Sequence, residues 1–188
     1  MKVHEIFRSI QGEGFMTGTP MTFIRLYGCN QSCQGCDTPQ SGYQEMTIEE
    51  IVACVEDDWA CITGGEPTIH DELPVLVNAL RERGVKVAIE TNGTNVLPRG
   101  LSWVCVSPKS QWPDSRILGQ AHEVKLVVGS GMYDVDKVLA RRPNLRATVS
   151  LQPWWDDNYE ANLREAIRLC QKYQVRLSLQ THKWIGVR

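Results

Sequence analysis

Three cysteines stand close together in the run Cys29-Asn-Gln-Ser-Cys33-Gln-Gly-Cys36. Thiolates at this spacing can wrap one small metal object, and Gly28 and Gly35 let the backbone bend around it. In a four-iron cluster, three cysteine ligands leave one iron open to a reactant. A structural zinc site is the alternative, but zinc normally takes four protein ligands. No second cysteine pair or nearby histidine completes such a set, and His4 is the only histidine within reach in sequence. Further on stands Thr63-Gly64-Gly65-Glu66-Pro67. Glycines there allow main-chain carbonyls to approach a buried ammonium, which must find acceptors. By itself that run is also an ordinary turn. Cys54, Cys61, Cys105 and Cys170 match no pattern and read as small apolar core residues, and His70 has no assigned role.

A CxxxCxxC loop after the first core strand, with Gly-Gly-Glu-Pro after the next, resembles the signature of the radical S-adenosylmethionine (SAM) superfamily. The resemblance implies a [4Fe-4S] cluster on Cys29, Cys33 and Cys36. It also implies SAM beside Gly35, Cys36 and Asp37, with Gly65 and Glu66 serving its ammonium. Further stretches, from the N-terminus to the last residue, are similar to the family of 7-carboxy-7-deazaguanine synthases. The most specific is Ser9-Ile10-Gln11-Gly12-Glu13-Gly14. The likeness implies that Ile10, Gln11, Gly12, Glu13 and Arg25 contact a carboxylated tetrahydropterin, Arg25 gripping its carboxylate. Thr63, His182 and the terminal carboxylate of Arg188 complete that set. Thr38, after Cys36-Asp37, is implied as a magnesium ligand. Glu90-Thr91-Asn92-Gly93-Thr94 matches a family segment around SAM. Ser107-Pro108-Lys109 and Gln152-Pro153-Trp154-Trp155 match runs that contact it, Trp155 reading equally well as a rim aromatic. No side chain is implied as catalytic, because cluster and SAM carry the radical chemistry. The implied reaction turns 6-carboxy-5,6,7,8-tetrahydropterin into 7-carboxy-7-deazaguanine with loss of ammonia. A flavodoxin-like electron donor and a homodimer are the implied partners. A glycyl-radical activating enzyme shares the cysteine spacing but not the Ser9–Gly14 run, and a zinc-stabilised binding module is the non-catalytic alternative.

These residues need a scaffold, and 188 residues suffice for one domain, expected over 1–188. Lys plus Arg number 20 against 22 acidic residues, so no cationic excess exists to neutralise nucleic-acid phosphates. No apolar run reaches the roughly 18 residues of a membrane span. Glu5 and Arg8 interrupt the stretch where a signal peptide is apolar, which predicts a cytoplasmic protein with reduced thiols. β-Branched runs predict strands at Met21–Tyr27, Ala60–Thr63, Val85–Glu90, Ser102–Val106, Glu123–Val128, Arg146–Leu151 and Val175–Gln180. Thr47 and Glu50 form a capping box ahead of a helix with Ile48, Ile51, Val52 and Val55 on one face. Asp71–Arg83 gathers Leu73, Leu76, Val77 and Leu80, and Val135, Val138 and Leu139 mark a short helix. Asp157–Gln174 carries a stripe of Tyr159, Leu163, Ala166, Ile167 and Cys170. Such alternation predicts an α/β fold: a partial parallel β/α barrel of about six strands. The Gly-, Pro- and Asn-rich stretches 91–101 and 107–122 predict two crossovers reduced to loops.

Overall fold

The computed structural model describes residues 1–33, 35–36, 42–109, 113, 115–140 and 146–188. It opens with a strand absent from the sequence expectation, β1 (Lys2–Ile10), which runs antiparallel to β2 (Pro20–Leu26). Charged residues interrupt β1 on both faces, so no period-two apolar signal marks it. There follow β3 (Gln44–Glu45), α1 (Ile48–Ala53), β4 (Trp59–Gly64), a single 3-10 turn (Pro67–Ile69) and α2 (Leu73–Glu82). Next come β5 (Lys86–Thr91), β6 (Trp103–Val106), α3 (Ser115–Leu118), β7 (Glu123–Val128) and α4 (Val135–Ala140). The chain finishes with β8 (Thr148–Pro153), α5 (Tyr159–Tyr173), β9 (Arg176–Leu177) and α6 (Thr181–Ile185).

All strands share one sheet in the order β3-β1-β2-β4-β5-β6-β7-β8-β9. From β2 onward every pairing is parallel, while β1 and β3 extend one edge antiparallel. The predicted strand Val175–Gln180 shrinks to two paired residues, because the chain leaves the sheet and turns into α6. No helix spans the β5–β6 connection among the described residues, as expected, but the β6–β7 crossover carries the four-residue α3. The capping box forms as read: Glu50 N donates to Thr47 Oγ1 and Thr47 N to Glu50 Oε2.

Strand alternation decides what each face holds. Ile24, Ile62, Ile89, Val104 and Val106 pack with α1 and α2, and Val124, Leu126, Val149 and Leu151 pack with α4 and α5. Burying these aliphatic side chains gains roughly 1.5–3 kcal/mol apiece before chain entropy is charged. On α5 Ala166 is buried and Tyr159, Leu163 and Cys170 are partly buried as expected, whereas Ile167 faces out and Leu169 is buried instead. Cys61 and Cys105 are core thiols, pushed well up by burial. Cys54 is not a core residue: it caps α1 and is exposed.

Candidate active site

Every other residue of the parallel strands points away from the helices. That second set carries Arg25 on β2, Thr63 on β4, Glu90 on β5, Lys125 on β7 and Gln152 on β8, and Gln180 just past β9 joins them. They line a cavity of about 310 Å³, at the lower end for a small-molecule site.

One end of the cavity is the cysteine loop. Cys29, Cys33 and Cys36 all line it, with Gly35 between them against Trp154. Burial raises the Cys33 thiol and Lys109 partly offsets this, while Cys36 and Cys29 lie near enough to add to the rise. Within the loop Cys36 N donates to Cys33 O at 3.3 Å, and further bonds tie the loop to its neighbours. Glu66 N donates to Gly28 O at 2.9 Å, and His70 Nε2 meets the Tyr27 carbonyl at 3.0 Å, which gives His70 a place. Asn30, inside the cysteine run, donates to Thr94 Oγ1 at 2.8 Å and accepts from Asn92 Nδ2 at 2.9 Å. A Cβ at Gly65 would overlap the Gly28 carbonyl, so the close approach of these loops demands glycine. Among the described residues, no three His, Cys, Asp or Glu side chains converge as a single metal ion requires. Three thiols that line one cavity, near enough for Cys29 and Cys36 to act on Cys33, suit a larger, sulfur-liganded cluster.

Glu66 departs from its expected role. It is fully buried, and its carboxylate accepts from Thr68 N, Thr68 Oγ1, Thr91 Oγ1 and Asn92 N at 2.6–3.1 Å. Four protein donors occupy it, and it does not line the cavity. It knits the turn after β4 to the turn after β5.

The other end is polar and assembled from distant segments. Glu13 pairs with Lys125 and accepts from Gln180 Nε2 at 2.7 Å. Glu90 accepts from Gln11 Nε2 at 3.1 Å and lies 3.9 Å from Lys125 Nζ. Arg25 Nε donates to Glu5 at 2.8 Å, and Arg188 pairs with the same carboxylate. Below them Glu123, 1% exposed, accepts from Phe15 N at 3.0 Å, and Ser178 Oγ accepts from Gly14 N at 2.7 Å. Thus the loop after β1 is fastened to the opposite side of the sheet. His182 packs against Gly12, where a Cβ would strike the imidazole.

Comparison with known proteins agrees with this arrangement. The sequence model of the radical SAM superfamily matches residues 23–110. The 7-carboxy-7-deazaguanine synthase of Haemophilus influenzae is 35% identical over 97% of this chain and 92% of its own. That of Bacteroides thetaiotaomicron is 38% identical, covering 100% of this chain and 98% of its own. The chain belongs to the 7-carboxy-7-deazaguanine synthase family. The crystal structure of QueE from Escherichia coli superposes with a TM-score of 0.78 at 30% identity, covering 95% of this chain and 92% of that one.

For this family member, the cavity gathers Ile10, Gln11, Gly12, Glu13, Arg25, Thr63, His182 and Arg188 from the expected substrate set. From the expected SAM set it gathers Gly35, Cys36, Gly65, Ser107, Lys109, Gln152, Pro153, Trp154 and Trp155. Pro108 is buried and, with Glu66, is absent from the lining. Asp37 and Thr38 lie outside the described residues. Sequence reasoning placed Glu90 and Gln180 only within matching runs, without a role of their own, and missed Lys125 as a wall residue. The signal was available: in Glu-Val-Lys-Leu-Val-Val, charges alternate with aliphatics in a strand buried on both faces. Such charges must face a polar partner or a ligand.

Proposed function

We propose that this protein converts 6-carboxy-5,6,7,8-tetrahydropterin into 7-carboxy-7-deazaguanine with loss of ammonia, by radical SAM chemistry. The observation that carries the reading is a single cavity with three thiols at one end and a row of polar side chains at the other, in a chain similar to these synthases over its whole length. When bound, a four-iron cluster held by Cys29, Cys33 and Cys36 would supply the electron, and SAM the radical, that start the reaction. The chain's own residues then bind and orient. Arg25, steadied by Glu5, takes the substrate carboxylate in a charge-assisted pair. Gln11, Thr63 and Glu90 offer the mixed donors and acceptors that a pterin edge needs. Ser107, Lys109 and the Gln152–Trp155 run wall the space between the thiols and that edge, which is where SAM belongs. Their joint task is proximity and exclusion of water.

The finer features follow from the same resemblance. Residues 1–188 form one radical SAM domain whose sheet curls into a partial barrel, a reading supported by the Gly14–Ser178 and Glu13–Gln180 bonds that join its two sides. Magnesium is assigned to Thr38, electron delivery to a flavodoxin-like protein, and the assembly to a homodimer. Seven free cysteines suit a reducing, cytoplasmic setting. No helix among the described residues is long and apolar enough to cross a membrane.

The test is anaerobic incubation of the reconstituted enzyme with SAM, dithionite, magnesium and the pterin, followed by mass analysis. The contracted ring and one ammonia per turnover are expected. An unconsumed pterin beside a loaded cluster and bound SAM would overturn the reading.

A further inference from the structure

Lys125 is an unusual residue to find at the middle of a core strand. Its side chain is 6% exposed, and β7 is buried along its whole length. An ammonium placed there without partners would shed its proton. Instead it meets Glu13 from the loop after β1 and lies 3.9 Å from Glu90 on β5. Other donors reach each carboxylate separately: Gln180 Nε2 and Gln152 reach Glu13, and Gln11 Nε2 and Thr63 Oγ1 reach Glu90. All three charged groups line the cavity. Resting on the functional reading above, we propose that Lys125 is a positioning residue for the substrate, holding Glu13 and Glu90 side by side on the cavity wall so that together they accept the amino and ring N–H groups of the pterin.

Charge arithmetic supports this. Two carboxylates and one ammonium leave one net negative charge on that wall, which suits a donor-rich heterocycle edge and disfavours a second anion. The titratable groups facing Lys125 are Glu13 from the β1–β2 loop, Glu90 from β5 and Cys105 from β6. Glu123 precedes it on its own strand, and Cys61 on β4 faces the same charges. Both thiols are pushed far up by burial and stay neutral. Burial alone would raise the Glu13 carboxyl, yet the charge of Lys125 and the bonds from Lys125, Gln180 and Gln152 outweigh it and hold it at about 2. Removing the ammonium takes away the largest effect that opposes burial, so the Glu13 carboxyl rises.

The test uses reconstituted enzyme and measures equilibrium binding of the tetrahydropterin without SAM, between pH 6 and 9. Each variant's affinity is read as its ratio to wild type at each pH, so that the titration of other groups lining the cavity cancels. Lys125→Met is expected to weaken binding by about 100-fold at pH 7, the scale for truncating one partner of a buried charge pair. Its affinity should recover as pH rises, because Glu13 regains its charge. Lys125→Arg keeps the cation and should restore flat pH behaviour. Iron and sulfide content, and SAM binding measured separately, should match the wild type within twofold. Should Lys125→Met fail to fold, E13Q/K125M removes the stranded carboxylate; it is expected to fold and to bind weakly with no pH dependence. A Lys125→Met affinity equal to wild type, or weakened without pH dependence, overturns the proposal, as does pH-dependent binding by the double variant. Failure of the wild type itself to bind the pterin would instead overturn the functional reading.

Discussion

At the cluster end of the cavity the three thiols come from one short loop, whereas at the substrate end Glu13 and Lys125 meet across 112 residues of chain. The thiols of Cys29 and Cys36 are exposed and Cys33 is partly buried, while Lys125 and Gln180 are buried. The first end is written as a motif and borrows its rigidity from adjacent turns through Glu66 and Asn30. The second exists only once β1, β5, β7 and β9 are assembled. Chemistry that needs a large sulfur-bound group can be encoded locally, but recognition of a heterocycle edge needs charges brought from several strands.

The largest expected effect breaks the cluster end alone. Cys33→Ala removes one of three ligands, so anaerobic reconstitution should yield no stable four-iron cluster and no turnover. Equilibrium binding of the pterin should change by less than about threefold, because Cys33 touches none of the Glu13–Lys125–Glu90 group. An intact four-iron spectrum would refute the ligand assignment.

Next in size is Glu66→Ala. The substitution strands the buried backbone N–H of Asn92, the half-buried one of Thr68, and the hydroxyls of Thr68 and Thr91. A loss of about 3–5 kcal/mol in urea unfolding is expected. Glu66→Gln retains one acceptor and should lose roughly half as much. If either variant instead kept full stability and lost only SAM affinity, the glutamate would be a direct SAM ligand after all.

What could be read from the sequence divides along the same line. The parallel strands, the capped α1 and the cysteine and Gly-Gly-Glu-Pro runs were legible because each rests on local spacing. β1 was not, since its alternation is masked by charges at Glu5 and Arg8. Nor was the engagement of Glu66, which depends on Thr91 and Asn92 in the following strand and turn. Lys125 is a mixed case: the alternation of charges with aliphatics in its strand was readable, but its partners Glu13 and Glu90 are named only by the fold.

The third effect tests whether the substrate end holds its charge. Glu13 lies near 2 when folded against an ordinary 4.5, so its depressed value stabilises the fold fully above pH 4.5. That contribution should fade as pH falls from 4.5 toward 2. Urea unfolding of the cluster-free chain at pH 7, 4 and 3 should show wild type converging on Glu13→Gln in acid. Parallel curves for the two would mean that Lys125 does not hold Glu13 ionised.

Ser178→Ala should have the smallest effect and the sharpest location. Its hydroxyl, buried past β9, accepts from Gly14 N and donates to Gln152 Oε1 at 2.9 Å. Losing it leaves one backbone donor unmet, which costs about 1–2 kcal/mol. The loop that carries Glu13 is then less firmly seated, while nothing at the thiols moves. The KM for the pterin should rise by about fivefold with kcat unchanged, the pattern of lost ground-state binding. Iron content and the cluster spectrum report on the opposite end and should stay put. If they change along with the pterin KM, the two ends share one mechanical unit, and the Gly14–Ser178 fastening is a brace for the whole sheet rather than for its substrate side.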